Sequence, residues 1–190
     1  MNNRKGSAVP INRNLLATYW TSAGNVSPLT ADQRSPESIT DRAKAVAAAG
    51  WMGMGIHHAD LSAIRDLSGY ASFRSMLADN GIATLELEFL TGWWTTGERR
   101  DASDELRREL FDAANALGVS IIKVTPNPDG SHIPQVVLLD EFDSLATDAA
   151  SAGLRVALEP MPFSNVKTIE AGVELVLEIA NPHGGLAVDS

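Results

Sequence analysis

Five glycines, Gly50, Gly81, Gly118, Gly153 and Gly185, punctuate the chain at separations of 31, 37, 35 and 32 residues by subtraction. Each follows an amphipathic run and precedes a short apolar one, the order in which a helix stops and a strand begins. Such separations hold one strand, one crossover helix and two short loops. The repeat predicts six strands, over Asn14–Trp20, Trp51–Ile56, Ile82–Phe89, Val119–Thr125, Leu154–Glu159 and Leu186–Asp189. A first helix starts at Pro36 behind a capping Ser35 and runs to Gly50; others are predicted over Tyr70–Asp79, Ala102–Leu117, Pro134–Ala152 and Val166–Ala180. This is an α/β chain with a parallel sheet and right-handed crossovers.

Two architectures are built from such units, an open doubly wound sheet and a closed barrel. Central strands of a doubly wound sheet are covered by helices on both faces and are apolar on both. Here one face carries bulk, as in Leu85, Leu87 and Phe89, Ile122 and Val124, Val156 and Leu158, or Leu186 and Val188. The other carries small or polar groups: Thr84, Glu86 and Glu88; Ile121 and Lys123; Ala157 and Glu159; Ala187 and Asp189. A helix-covered wall around an interior that turns polar at its top accounts for the division. The expected fold is a (β/α)8 TIM barrel, in one domain over residues 1–190, with about six of its eight units present. Gly53 and Gly55 read as strand positions that leave room inside. With Gly50 they do not follow a strand and open a helix, so they form no dinucleotide fingerprint.

The inner face gathers ionisable residues at strand ends, where parallel α/β folds place their chemistry. Alternation along Leu154–Glu159 turns Leu154, Val156 and Leu158 to the helices and Glu159 inward. Glu88, Lys123 and Asp189 end the third, fourth and sixth strands on the same parity, forming an arc around one cavity. With no cysteine in the chain, a metal would be held by carboxylate, imidazole or water, and paired carboxylates suit Mg2+ or Mn2+. Lys123, between Glu88 and Glu159, would neutralise one of them or bind a substrate oxygen; the alternative is a salt-bridged plug without chemistry. His57, rather than His58, has the inward parity and would bind or polarise a substrate hydroxyl. Otherwise both are loop residues and Asp60 caps the next helix. His132 and His183 receive no role. Tyr19 and Trp20, Trp93 and Trp94, and Phe163 follow strands, and aromatic faces at a pocket mouth suit sugar rings. Trp20 and Trp93 are the candidate substrate-binding walls, with loop packing as the alternative. Glu98-Arg99-Arg100-Asp101 reads as a solvated loop.

The formal net charge of -9 argues against a nucleic-acid groove, which needs concentrated Lys and Arg. No apolar run has signal-peptide or membrane-spanning length, so the expectation is a cytoplasmic protein with a small-molecule partner and no membrane partner.

Leu154-Arg155-Val156-Ala157-Leu158-Glu159-Pro160, then Gly185-Leu186-Ala187-Val188-Asp189 after a helix, resembles the xylose-isomerase-like TIM barrels of the sugar phosphate isomerase/epimerase superfamily. Ala113 to Val119 with Ile122-Lys123-Val124 is similar to their fourth unit. The resemblance implies a divalent cation, commonly Mn2+ with Mg2+, Co2+ or Zn2+ as alternatives, held by a Glu on strand five, an Asp on strand six, and a His and a Glu further on. Glu159 and Asp189 match the first two ligands, and Glu159 would also move protons. The implied activity is isomerisation or epimerisation of a small sugar or sugar phosphate by proton removal α to a carbonyl. A lyase dehydrating a keto-inositol or keto-sugar shares that first step. The matching His and last Glu do not occur before Ser190, which leaves the first and sixth strands as open edges. The sequence is therefore expected to belong to a longer enzyme, alone inactive, or to cover its edges as a homo-oligomer; a truncated non-catalytic binding module is a third reading. A DNA-repair nuclease of the superfamily is disfavoured by the acidic charge and the few histidines.

Overall fold

The structure, a computed structural model, describes residues 15–28 and 30–189. Strands β1 (Leu16–Ala17), β2 (Gly53–His57), β3 (Thr84–Leu90), β4 (Ile121–Val124), β5 (Arg155–Leu158) and β6 (Gly184–Leu186) form one parallel sheet in sequential order. Sequential order excludes a doubly wound sheet, in which the order reverses at a switch point. The helices are α1 (Tyr19–Ser22), α2 (Ile39–Ala48), α3 (His58–Asp79), α4 (Glu98–Leu117), α5 (Gln135–Ser151) and α6 (Ile169–Ile179). The sheet curls far enough for residues next to both edges, Leu15, Leu16 and Thr18 with Val188 and Asp189, to line one cleft of about 310 Å3. This is a TIM-barrel-type arrangement of six βα units.

The two faces divide as their alternation requires. Met54, Ile56, Leu87, Ile122, Val124, Val156 and Leu158 are each at most 1% exposed and share one core with Leu61, Leu110, Ala113, Phe142, Leu145 and Ala146 of the helices. The paired registers Gly55 with Glu86, His57 with Glu88, and Lys123 with Ala157 keep the small and polar residues together on the other face.

Several boundaries differ from the expected ones. Of the first strand, Asn14 lies outside the described residues and only Leu16–Ala17 pair; the chain then turns into α1, because the Tyr19 N–H is taken by Glu88 Oε1 at 2.6 Å instead of a ladder carbonyl. α2 is capped by Ser38, whose hydroxyl accepts the Asp41 N–H at 3.1 Å, rather than by Ser35. α3 begins immediately after β2, far ahead of Tyr70, with the His57 imidazole accepting the Ala59 N–H at 3.1 Å as its cap. Gly69, at φ 73°, breaks the helical path inside it, which is why only its second half showed a clean pattern. α4 takes in the charged run Glu98–Asp101 as its first turn, where Glu98 and Asp101 complement the helix dipole. Gly50, Gly81, Gly118 and Gly153 all have the left-handed φ of helix-ending glycines. Gly185 does not belong with them: α6 ends on Ala180, at φ 49°, and Gly185 lies within β6, so Asp189 is three residues past the strand.

Candidate functional site

Carboxylates from β3 and from the exit of β5 meet at Lys123 of β4. Its ammonium lies 2.8 Å from Glu88 Oε2, 3.3 Å from Glu86 Oε1 and 3.4 Å from Glu159 Oε2. The Glu88 contact is an ion pair without an aligned hydrogen bond on Oε2. Two carboxylates come from β3, two residues apart, the ammonium from β4 and the third carboxylate from the exit of β5. Glu159 is held there by its backbone N–H, which donates to Val124 O at 3.0 Å. Burial opposes the charge on Lys123, yet Glu88, Glu86 and Glu159 together hold its pKa above the ordinary lysine value. Burial raises the Glu159 pKa, with Lys123 opposing and the charges of Glu88 and Asp189 adding to the rise. Glu86 is pushed up to about 7, again by burial first, against the pull of Lys123. The arrangement thus keeps a permanent cation beside Glu86, which holds or releases its proton near neutrality, and beside Glu159, whose pKa burial raises.

A wall of rings stands beside this cluster. His57, paired in register with Glu88, is fully buried and centres 4.9 Å from Tyr19, 5.6 Å from Trp20, 4.1 Å from His58 and 5.0 Å from Phe89. Burial, with His58, Arg42 and Lys123 nearby, brings its pKa down to about 3, so it is neutral at physiological pH. Behind Tyr19 the Arg42 guanidinium sits 4.7 Å over the ring and 2.7 Å from Asp60 Oδ2. Asp60 is therefore an ion-pair partner and not a helix cap. Gly55 makes room as expected: a Cβ there would overlap Glu88 Oε1 and come within 2.7 Å of Tyr19 N.

Glu88, Lys123, Glu159, His57 and Trp20 are thus brought together. Trp93 is not. It is buried against Trp94 and Phe142 of α5, and its indole N–H donates to Thr125 O at 2.8 Å, because its loop folds over the helix side of β4. Asp189 is exposed, lines the cleft between the sheet edges with Glu86, and reaches Glu159 through its charge. Glu86 and Thr125 share the inward parity but are not among the expected site residues: Glu86 reads only as part of the polar inner face, below the strand's end, and Thr125 is not ionisable.

Glu159 and Asp189 fit a divalent cation in donor type, since both are hard oxygen ligands whose mutual repulsion a cation would relieve. In number they supply two, and among the described residues no group of three His, Asp or Glu side chains is gathered for a metal.

The profile of the xylose isomerase-like TIM barrel family matches residues 43–190. The chain belongs to that family. No curated protein sequence matches it. Among solved structures it is similar to the IOLI protein with a bound zinc atom, at TM-score 0.74 and 17% identity over 93% of this chain and 63% of that one. It is similar to D-psicose 3-epimerase in the presence of D-fructose, at TM-score 0.63 and 15% identity over 80% and 57%. The probable 3-DHS dehydratase AsbF of Bacillus anthracis gives TM-score 0.65 and 15% identity over 90% and 61%. The chain spans less than two thirds of the length of each. At these identities the likeness is one of fold. No helix of the described residues is long and apolar enough to cross a membrane.

Proposed function

We propose that the chain supplies the strand-two to strand-six wall of a divalent-metal-dependent isomerase or epimerase for a small sugar or sugar phosphate. The observation that carries this reading is the Lys123 hub, three carboxylates from neighbouring strands on one ammonium, with Glu159 at the C-terminal exit of β5. Glu159 is the acid/base that removes a proton α to the substrate carbonyl and returns it; its raised pKa matches that task better than an ordinary carboxylate's. Glu159 and Asp189 would hold the cation, with Mn2+ the metal we favour. When bound, such an ion withdraws electrons from substrate oxygens and makes the neighbouring C–H more acidic. Lys123 keeps Glu159 oriented between turnovers, while His57 and Trp20 give the sugar a dry wall with a neutral imidazole. Dehydration of a keto-sugar would use the same first proton transfer, and the relationship to a fold that also serves a dehydratase keeps it as the second reading.

The test is E159Q in the full-length protein, assayed for exchange of the α-proton of ketoses with solvent deuterium and for metal content. Exchange should fall by about 100-fold or more with the fold preserved. Exchange at the wild-type rate would refute the role of Glu159.

A further inference from the structure

Thr125 follows β4 directly and is only 4% exposed. Its backbone is held from two sides: its N–H donates to Leu90 O at 3.0 Å, and its carbonyl accepts the Trp93 indole N–H at 2.8 Å. The β4–β5 ladder runs up to it, since Leu158 pairs with Val124 and the Glu159 N–H reaches Val124 O. Thr125 therefore stands across from Glu159, on the inward parity of Lys123. The loop that continues from it is tied to the loop after β5, with the Asn127 N–H donating to Asn165 Oδ1 at 2.6 Å and the Asn165 N–H to Asn127 O at 3.2 Å.

In this fixed frame the Thr125 hydroxyl has no hydrogen-bond partner among the described residues. Buried hydroxyls are nearly always paired, because water is otherwise given up without replacement. The other buried side-chain atoms of the cluster without a hydrogen bond are Glu86 Oε1 and Glu88 Oε2, which face Lys123, and the imidazole atoms His57 Nε2 and His58 Nδ1. Thr125 Oγ1 is the one hydroxyl among them, a single neutral atom that can donate and accept at once.

We propose that Thr125 is a substrate-binding residue: its Oγ1 hydrogen-bonds a hydroxyl or carbonyl oxygen of a polyhydroxylated carbonyl compound, beside the carbon that Glu159 serves. Trp93 is then a positioning residue, acting through the Thr125 carbonyl. This rests on the reading of the cluster as a sugar site. The pre-fixed backbone means that little ordering accompanies binding, and a sugar oxygen completes the valence of a hydroxyl already desolvated.

Thr125→Val keeps the shape and deletes the hydroxyl, while Thr125→Ser keeps the hydroxyl. Binding of D-fructose, D-tagatose and D-psicose to the full-length protein is measured by calorimetry, and ligand-free melting is recorded for each variant. The valine variant should bind the best of these ketoses about tenfold more weakly, with serine near wild type. Ligand-free melting of the valine variant should be at or above wild type, since an unpaired hydroxyl is replaced by a methyl. Wild-type binding by the valine variant overturns the proposal for Thr125 and leaves the sugar site standing. A ligand-free Tm several degrees lower for valine but not for serine also overturns it, because the hydroxyl would then be structural. Failure of the wild-type protein to bind any of the three overturns the sugar-site reading and this inference together.

Discussion

Glu88 and Lys123 form a buried ion pair at 2.8 Å, and the other oxygen of the same carboxylate accepts the Tyr19 N–H at 2.6 Å. One side chain on β3 thereby joins the ammonium on β4 to the turn that follows β1. Glu88 is fully buried with both oxygens engaged, so its place in the site is to hold Lys123 and the aromatic wall rather than to meet a ligand. Glu159 is farther from the ammonium and partly open, and it is the carboxylate on which the proposed proton transfer rests.

Removing the cation should be more damaging than removing any one carboxylate. Lys123→Met leaves three acidic groups facing one another in a site where the lysine side chain is 4% exposed. Breaking a buried pair from one side lowers stability by about 3–5 kcal/mol. Urea unfolding should show a loss of that order at pH 8, shrinking at pH 5 as the carboxylates take up protons. A Lys123→Met protein as stable as wild type at pH 8 would show that the hub is not an electrostatic unit.

Gly55, on the neighbouring strand, leaves the space that the Glu88 carboxylate fills. An alanine there would place its methyl on Glu88 Oε1 and against the Tyr19 nitrogen, a backbone atom that cannot swing away. Gly55→Ala should lower stability by about 1–3 kcal/mol through overpacking. It should also release the Tyr19 N–H, seen as faster amide exchange at Tyr19 with slow exchange kept at Ile122 in the core. Unchanged protection at Tyr19 would mean that Glu88 has another seat.

The alternation of strands made most of this site readable in advance. Glu88, Lys123 and Glu159 were found because period-two burial fixes which side chains share a face, whatever the rest of the chain does. Glu86 obeys the same parity one step lower, and only the reach of Lys123 down the barrel shows that two levels belong to one cluster. The turn at Tyr19 was illegible because its hydrogen-bond partner lies 69 positions away. Arg100 was misread for a similar reason. Its charged neighbours suggested a solvated loop, but its guanidinium bridges Asp104 at 2.9 Å and Glu141 of α5 at 2.6 Å, fastening α4 to α5.

The Arg42–Asp60 pair lies beneath the aromatic wall, at 2.7 Å, with side-chain exposures of 2% and 10%. Arg42→Met alone strands the Asp60 carboxylate, and about 3–5 kcal/mol should be lost. The double variant Arg42→Met with Asp60→Leu removes both charges and should recover much of the loss, since an apolar pair of similar volume often matches a buried ion pair. Chemical denaturation of the two variants decides it: a double variant no better than the single one would mean that the Ser35 N–H bonded to Asp60 Oδ1 at 3.1 Å matters more than the ion pair.

Two groups near Lys123 give folding stability opposite pH slopes. Glu86 titrates ordinarily at 4.5 and in the folded protein at about 7. Between those values the folded chain keeps a proton that the unfolded chain has released, so the stability this group lends is full below about 4.5 and falls as pH rises to about 7. His57 moves from an ordinary 6.5 down to about 3. Across that span the unfolded chain gains a proton that the folded one refuses, so its contribution is full above about 6.5 and falls as pH drops. Urea unfolding across pH should therefore show Glu86→Gln gaining on wild type as pH rises from 4.5 to 7, and His57→Gln gaining as pH falls below 6.5. A pH-independent offset in either variant would mean that its group is solvated in the fold, and for Glu86 that Lys123 serves only Glu88 and Glu159.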